Sequence, residues 1–348
     1  MMSKKRAIII FNLGGPNDEA AIQPFLFNLF NDRAIINLPN PLRWLIARQI
    51  SSKRTPVAKE IYGHIGGGSP ILAETQKQAD SLRESLDEHS DGWVHQIFIS
   101  MRYWHPMADE AAANVKNFEP DEIVLLPLYP QFSITTTATG FDAWDVSAKK
   151  IGLDVPTRRI CCYPDEPGWV AAQASLISAT IEQAEKSEQP LRLLFSAHGL
   201  PERTVARGDP YPDQIEMGVR AIVEALSSDE ADWCICYQSR VGPLQWIGPS
   251  LDEELDKAVR DGVGVIIVPL AFVSEHSETL VELDMDYRDI AINKGIKAYH
   301  RVPVVGTHPL FIGGLCDLVL KDRGELSSYQ QKRICPEGCS ACPMETGI

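Results

Sequence analysis

Long apolar runs are missing from this chain of 348 residues. The longest, Val263 to Val273, contains Pro269 and falls short of the roughly 20 residues that a membrane-crossing helix needs. Aromatic residues are sparse at 8%, and positive charge is in deficit: 33 lysines and arginines against 47 aspartates and glutamates give a formal charge of −14. Such a surface repels a phosphate backbone, so nucleic acid is not an expected partner. An acidic balance suits a cationic substrate but most often serves solubility. No phosphate-binding loop ending in Gly-Lys-Ser/Thr, no spaced triple-glycine turn and no Gly-x-Ser-x-Gly elbow occurs. Nucleotide hydrolysis, dinucleotide binding and serine hydrolysis therefore lose their usual signatures. A secretion signal is lacking too. Lys4-Lys5-Arg6 precedes Ala7-Ile8-Ile9-Ile10-Phe11, but Asn12, Gly14 and Gly15 interrupt the run and no small-residue cleavage site follows. We read this segment as a buried strand and expect a cytoplasmic protein.

Cysteine, by contrast, is plentiful and unevenly placed. Of the eight, Cys335, Cys339 and Cys342 fall in the last 14 residues, and Cys161 and Cys162 are adjacent. A chain of this size has no evident need of a disulfide framework, so close thiols point to metal. Pro336, Gly338 and Pro343 favour a knuckled loop around the tail trio. That spacing suits zinc or an iron–sulfur cluster, either of which requires a fourth ligand. Cys316, Cys234 and Cys236 sit among apolar neighbours and read as packing.

Short apolar runs alternate with longer amphipathic stretches throughout. Strands are expected at Ala7–Leu13, Trp93–Ser100, Ile123–Leu128 and Arg158–Tyr163, then at Leu191–Ala197, Trp233–Gln238, Val263–Leu270 and Ile296–Arg301. Helical periodicity marks Thr75–Leu86, Met107–Asn117, Trp169–Ala184, Ile215–Leu226 and Leu251–Arg260. Continuously apolar strands alternating with helices imply parallel sheets covered on both faces. Eight strands divided four and four give an α/β protein of two similar lobes, approximately 1–165 and 166–305. The helix near 306–323 is assigned to the first lobe, residues 185–189 to a junction loop, and 324–348 to a cysteine-bearing tail. Ligands of open parallel sheets sit beyond the carboxyl ends of the strands, and a cleft is expected there between the lobes.

Three stretches just past those strand ends carry chemistry. Gly14-Gly15-Pro16 permits a close backbone approach to a ligand, with ordinary turn chemistry as the simpler reading. His198 closes the fifth strand and has a side chain suited to proton transfer or metal binding near neutrality; alone, a hydrogen-bonded structural histidine is the commoner case. After the seventh strand come Glu275, His276, Glu278, Glu282, Asp286 and Asp289. At about 100° per residue the five acids share a face about 80° wide, flanked by Leu280, Leu283, Tyr287 and Ile290. Such a row is either a solvated face or a path for a divalent transition metal. Elsewhere Leu42, Leu45, Ile46 and Ile50 form one helical face beside Trp44, Arg43, Arg48, Lys53 and Arg54. A basic helix of this kind suits a membrane surface or an anionic apolar ligand, and equally a packed core.

Taken together these stretches resemble ferrochelatase, from Asn12 to about Asp322. The resemblance rests on Asn12-Leu-Gly-Gly-Pro16, Pro24-Phe-Leu-Phe-Asn-Leu-Phe30, Lys53-Arg-Thr-Pro56, Gly66-Gly-Gly-Ser-Pro70 and Leu126-Pro-Leu-Tyr-Pro-Gln-Phe-Ser133. It continues through Ser196-Ala-His-Gly-Leu-Pro201, Gly208-Asp-Pro-Tyr-Pro212, Gln238-Ser-Arg-Val-Gly-Pro243 and Pro269 to Leu280. It implies two Rossmann-like lobes with the active-site cleft between them, insertion of Fe(II) into protoporphyrin IX to give haem b, and release of two protons. It implies a catalytic and iron-binding pair, His198 and Glu278, and an acidic path of Glu275, His276, Glu282 and Asp286. Leu13, Arg54, Tyr62, Ser69 and Arg102 match porphyrin-contacting positions. The tail resembles that of relatives carrying a 2Fe–2S cluster. Where many of them have a ligand cysteine after the Gln-Phe/Tyr-Ser stretch, this chain has Ile134. Cys161 is then the expected fourth ligand beside Cys335, Cys339 and Cys342, with Cys162 the alternative and zinc compatible with the same spacing. Peripheral membrane contact and a homodimer are further implications. Insertion into coproporphyrin III, another metal such as cobalt, and a carrier that binds without turnover are the competing readings.

Overall fold

The computed structural model describes residues 3–89, 91–184, 189–226, 232–240, 242, 244–321, 335–336 and 339–341. Residues 185–188 of the expected junction loop, and Cys342, lie outside these. The chain divides into two compact units, Met1–Cys162 with Cys316–Glu325, and Tyr163–Leu315 with Leu326–Ile348.

In the first unit, β1 (Lys4–Asn12), β2 (Trp93–Met101), β3 (Glu122–Pro127) and β4 (Thr157–Arg159) form a parallel sheet in the order β2-β1-β3-β4. From Arg6 onward β1 is buried at every residue, as expected for a strand covered on both faces. Arg6 is tolerated there because its guanidinium meets Glu122 at 2.6 Å and Asp91 at 3.3 Å, so its charge is not buried alone. One side of the sheet packs Ala7, Ile9 and Phe11 against Ala111, Ala112 and Val115 of helix Ala108–Phe118 and Phe141 and Trp144 of helix Thr139–Lys150. Both aromatic rings meet Phe11 edge-on.

The second unit repeats the plan. β5 (Leu191–His198), β6 (Trp233–Gln238), β7 (Gly264–Pro269) and β8 (Tyr299–Arg301) are parallel in the order β6-β5-β7-β8. In each sheet the earliest strand lies inside, with the second on one side and the third on the other. Chain progression therefore reverses at β1 and at β5, and a ligand crevice opens at the carboxyl end of such a strand. Asn12 ends β1 and His198 ends β5.

The acidic segment departs from expectation. An α-helical period underlies the face drawn through Glu275 to Asp289, but residues Glu278–Tyr287 are wound as a π-helix, followed by a short α-helix, Arg288–Lys294. The buried residues in that turn are Thr279, Val281 and Leu283, while Leu280 is only half-buried. A second, shorter π-helix, Ile134–Ala138, follows β3. Wide turns of this type concentrate at functional sites.

Candidate active site

His198 is carried to the site by β5, whose preceding residues Leu194 to Ala197 are completely buried and fix the strand. Its Nδ1 lies 2.9 Å from Oε2 of Glu278, the first residue of the π-helix. With Nδ1–H donating to that carboxylate, the lone pair of a neutral imidazole rests on Nε2, where it can accept a proton or bind a metal. Burial disfavours the charged imidazole, but the adjacent Glu278 carboxylate more than compensates, with Glu282 adding to it, and raises the His198 pKa. Burial likewise opposes ionisation of Glu278; His198, helped by His276 at 3.8 Å, overcomes this and holds it well below the usual carboxylate range. The pair sets an imidazole against an ionised carboxylate, an arrangement suited to proton exchange, and 40% of the His198 side chain and 27% of that of Glu278 remain open to incoming groups.

The rest of the acidic row is divided among different partners. Glu282 accepts from the backbone N–H of Ser239 at 2.9 Å and from its hydroxyl at 2.7 Å. Ser239 adopts a left-handed backbone, φ 58°, to aim both donors, a strain that persists only where surrounding contacts enforce it. Burial first, and then the charge of Glu278, push the Glu282 pKa upward. The pKa values of two neighbouring carboxylates are thus driven apart, one down and one up, a pattern that marks acid–base sites. Glu275 meets Arg301 at 2.9 Å, His276 is buried with Nδ1 donating to the Ser274 carbonyl, and Asp286 is exposed.

In the first unit the structure gathers the sequence-designated residues Leu13, Tyr62 and Ser69 around the loop after β1. Tyr62, Ile22, Phe25, Leu26 and Tyr103 form a buried cluster with Leu13 against it. Arg102 meets Asp32 at 2.5 Å, and the Tyr103 hydroxyl donates to the same carboxylate. Arg54 stacks over Phe30. Ser69 N–H donates to the Pro16 carbonyl, and a Cβ on Gly15 would fall 2.5 Å from that of Ser69. Gly15 is therefore needed for close approach. Gly15→Ala is expected to displace Ser69 and lower the melting temperature, read from a thermal melt beside wild type. A cavity of about 180 Å³ adjoins this loop, lined in part by Asn12, Arg102, Tyr129 and Thr136.

The ferrochelatase family model matches residues 5–323. The chain belongs to the ferrochelatase family. A ferrochelatase from Wolbachia sp. subsp. Drosophila simulans is 51% identical over 316 residues, covering 91% of this chain and 99% of that one. A ferrochelatase from Caulobacter vibrioides is 47% identical over 350 residues, 99% of each chain. Among solved structures, SirB from Bacillus subtilis with Fe3+ is similar at a TM-score of 0.48 and 11% identity, covering 91% of this chain and 94% of that one.

Other residues around His198 and Glu278 escaped the reading of the sequence for roles. Tyr211, in Gly208-Asp-Pro-Tyr-Pro212, is buried with its hydroxyl engaged by the backbone of His198. Gln238 accepts from Ser196 at 2.7 Å and donates to the Glu278 carbonyl at 3.2 Å. Only the family motifs containing them flagged these positions. Tail residues Cys335 and Cys339 are buried at the amino-terminal end of helix Tyr211–Ala225, where Gln214 donates to Cys335 Sγ at 3.1 Å and the Cys339 thiol donates to Asp213 at 3.4 Å. Cys161 and Cys162 are buried in the first unit, their sulfurs 3.2 Å apart. Among the described residues no group of three metal-ligating side chains is assembled.

Proposed function

We propose that His198 and Glu278 are the groups that take the pyrrole protons and receive the iron. As a member of the ferrochelatase family the chain is a porphyrin metallochelatase, inserting iron into a porphyrin in haem synthesis. The reaction exchanges two N–H protons for one Fe(II), so it needs a base beside a ligand set suited to a divalent transition metal. Imidazole and carboxylate meet both needs. The 2.9 Å contact between Nδ1 of His198 and Glu278 carries this reading, because it sets the lone pair on Nε2 and supplies a negative charge to stabilise the imidazolium. Glu282, His276 and exposed Asp286 are the proposed relay for iron or protons. Leu13, Arg54, Tyr62, Ser69 and Arg102 are the proposed macrocycle contacts, with protoporphyrin IX as substrate. The test is alanine at His198, assayed anaerobically with Fe(II), with porphyrin binding followed separately by fluorescence.

We also propose a 2Fe–2S cluster held by Cys335, Cys339, Cys342 and Cys161. The donor chemistry fits: thiols suit such a cluster, two of them are buried together at a helix amino terminus, and the Gln214 amide supplies an N–H to sulfur. When bound, the cluster would supply a redox-sensitive iron–sulfur centre. Purified protein is expected to carry about two iron and two labile sulfide per chain, lost in Cys335→Ser. One zinc and no sulfide rejects the cluster.

Among the described residues no helix is long and apolar enough to cross a membrane. Peripheral contact is the proposal here, made through the helix Asn40–Gly63. Leu42, Trp44 and Leu45 are exposed on it, beside Arg48 and Lys53. A core-packing role for Leu42 and Leu45 does not fit exposures of 49% and 59%. Wild-type protein is expected to co-sediment with anionic vesicles and Leu42→Glu/Leu45→Glu protein to remain in the supernatant. Equal sedimentation of both rejects this surface.

A further inference from the structure

The π-helix that carries Glu278 and Glu282 runs for ten residues, Glu278–Tyr287. This winding is rare and usually limited to single turns inside α-helices. Something outside the helix must hold it. The edge strand β8 supplies that support from two residues on one of its faces, since side chains two apart on a strand point the same way.

Tyr299 is buried, and its hydroxyl donates to the Leu283 carbonyl in the middle of the helix at 2.6 Å. Arg301, 10% exposed, forks onto Asp284 through Nε at 2.7 Å and Nη2 at 2.6 Å, and reaches Glu275 through Nη1 at 2.9 Å. The guanidinium thereby ties the residues before the helix to its second turn. From β6, Gln238 holds the Glu278 carbonyl at the first turn.

This bracing also sorts the charges. Glu275 and Asp284 share the charge of Arg301, which leaves Glu278 to His198 and Glu282 to the two donors of Ser239. Both carboxylates thereby have a counter-charge, and the brace does not compete for the pair at the site.

We propose that Tyr299 and Arg301 are positioning residues for metal insertion. They brace the wide helix so that Glu278 and Glu282 face His198 and Ser239, with Glu275 and Asp284 serving as anchors of the brace. The proposal rests on the reading that His198 and Glu278 perform the chemistry. Small displacements of reacting groups, about 1 Å, cost on the order of 100-fold in rate, so a brace of this kind acts on turnover.

The test compares Arg301→Met, Arg301→Lys, Asp284→Asn and Tyr299→Phe with wild type, active sites being counted by porphyrin titration. Arg301→Met is expected to lower kcat at least tenfold while the porphyrin KM and fluorescence-measured Kd stay within twofold. Arg301→Lys is expected not to restore it, because an ammonium cannot fork on Asp284 and also reach Glu275. Tyr299→Phe, which removes one hydroxyl, is expected to lower kcat several-fold. A purely architectural role would lower the melting temperature and leave kcat per titrated site unchanged. Should Arg301→Met fail to fold, Tyr299→Phe and Asp284→Asn carry the decision. Values of kcat within twofold of wild type in the folded variants overturn the proposal. His198→Ala in the same series separates the two readings: full activity there refutes the role of the pair, whereas an inactive His198→Ala beside unaffected clamp variants refutes the brace alone.

Discussion

His198→Ala is expected to lose about 10³-fold in kcat while binding porphyrin within about twofold of wild type, because general acid–base groups contribute roughly 10²- to 10⁴-fold. The expectation follows from position. His198 ends β5, the strand at which chain progression through its parallel sheet reverses, and its Nδ1 is committed to Glu278. Removing the ring leaves the carboxylate without its partner and the pyrrole protons without an acceptor on β5. Macrocycle affinity is expected to survive because the proposed porphyrin contacts, Leu13, Arg54, Tyr62, Ser69 and Arg102, belong to the other compact unit. Steady-state haem formation and porphyrin fluorescence quenching, measured on one preparation, check both halves. Loss of binding together with activity would shift His198 to a substrate-holding role.

Glu278→Gln is expected to be nearly as damaging to turnover and to change the pH response in a defined direction. Burial works against the imidazolium, but the Glu278 carboxylate raises the His198 pKa above its ordinary value of about 6.5. A protonated His198 cannot accept a pyrrole proton, so kcat/KM of the wild type should fall as the pH drops through that raised value. In Glu278→Gln the carboxylate is gone while desolvation remains, so the imidazole should titrate at lower pH; histidine NMR signals report this even where turnover is too slow to follow. Stability obeys the same linkage. The depressed carboxylate contributes above about 4.5 and loses its contribution as pH falls through the folded-state value. The raised imidazole contributes fully below about 6.5 and loses its contribution as pH rises through its own. The difference in denaturant midpoint between wild type and Glu278→Gln should therefore peak between those two pH values. An upward movement of the His198 titration in the variant would contradict the assigned cause.

The sheets were legible because burial on both faces leaves an unmistakable mark. Ile8, Ile9 and Ile10 in β1, and Ile266, Ile267 and Val268 in β7, admit no polar alternation. Strand ends then pointed to His198 and to the segment carrying Glu278. The winding of that segment was not legible. Periodicity in sequence reports which residues are apolar, and Leu280, Leu283 and Tyr287 satisfy an α-helical face; the π-helix depends on Tyr299 and Arg301, which lie more than ten residues away in sequence. Long-range partners were invisible for the same reason. Nothing local marks Arg301 as the counter-charge of Glu275 and Asp284, or Ser239 as the clamp on Glu282. The face of Leu42, Leu45, Ile46 and Ile50 was readable as amphipathic, yet only tertiary structure shows that Leu42 and Leu45 lie open.

The most direct measurement is anaerobic incubation of the purified protein with Fe(II) and protoporphyrin IX, following both porphyrin consumption and haem formation. The chemistry assigned to His198 and Glu278 predicts multiple turnovers to haem with release of two protons per iron inserted. Protein that binds the porphyrin stoichiometrically and never metallates it would contradict that assignment and leave a tetrapyrrole carrier in its place.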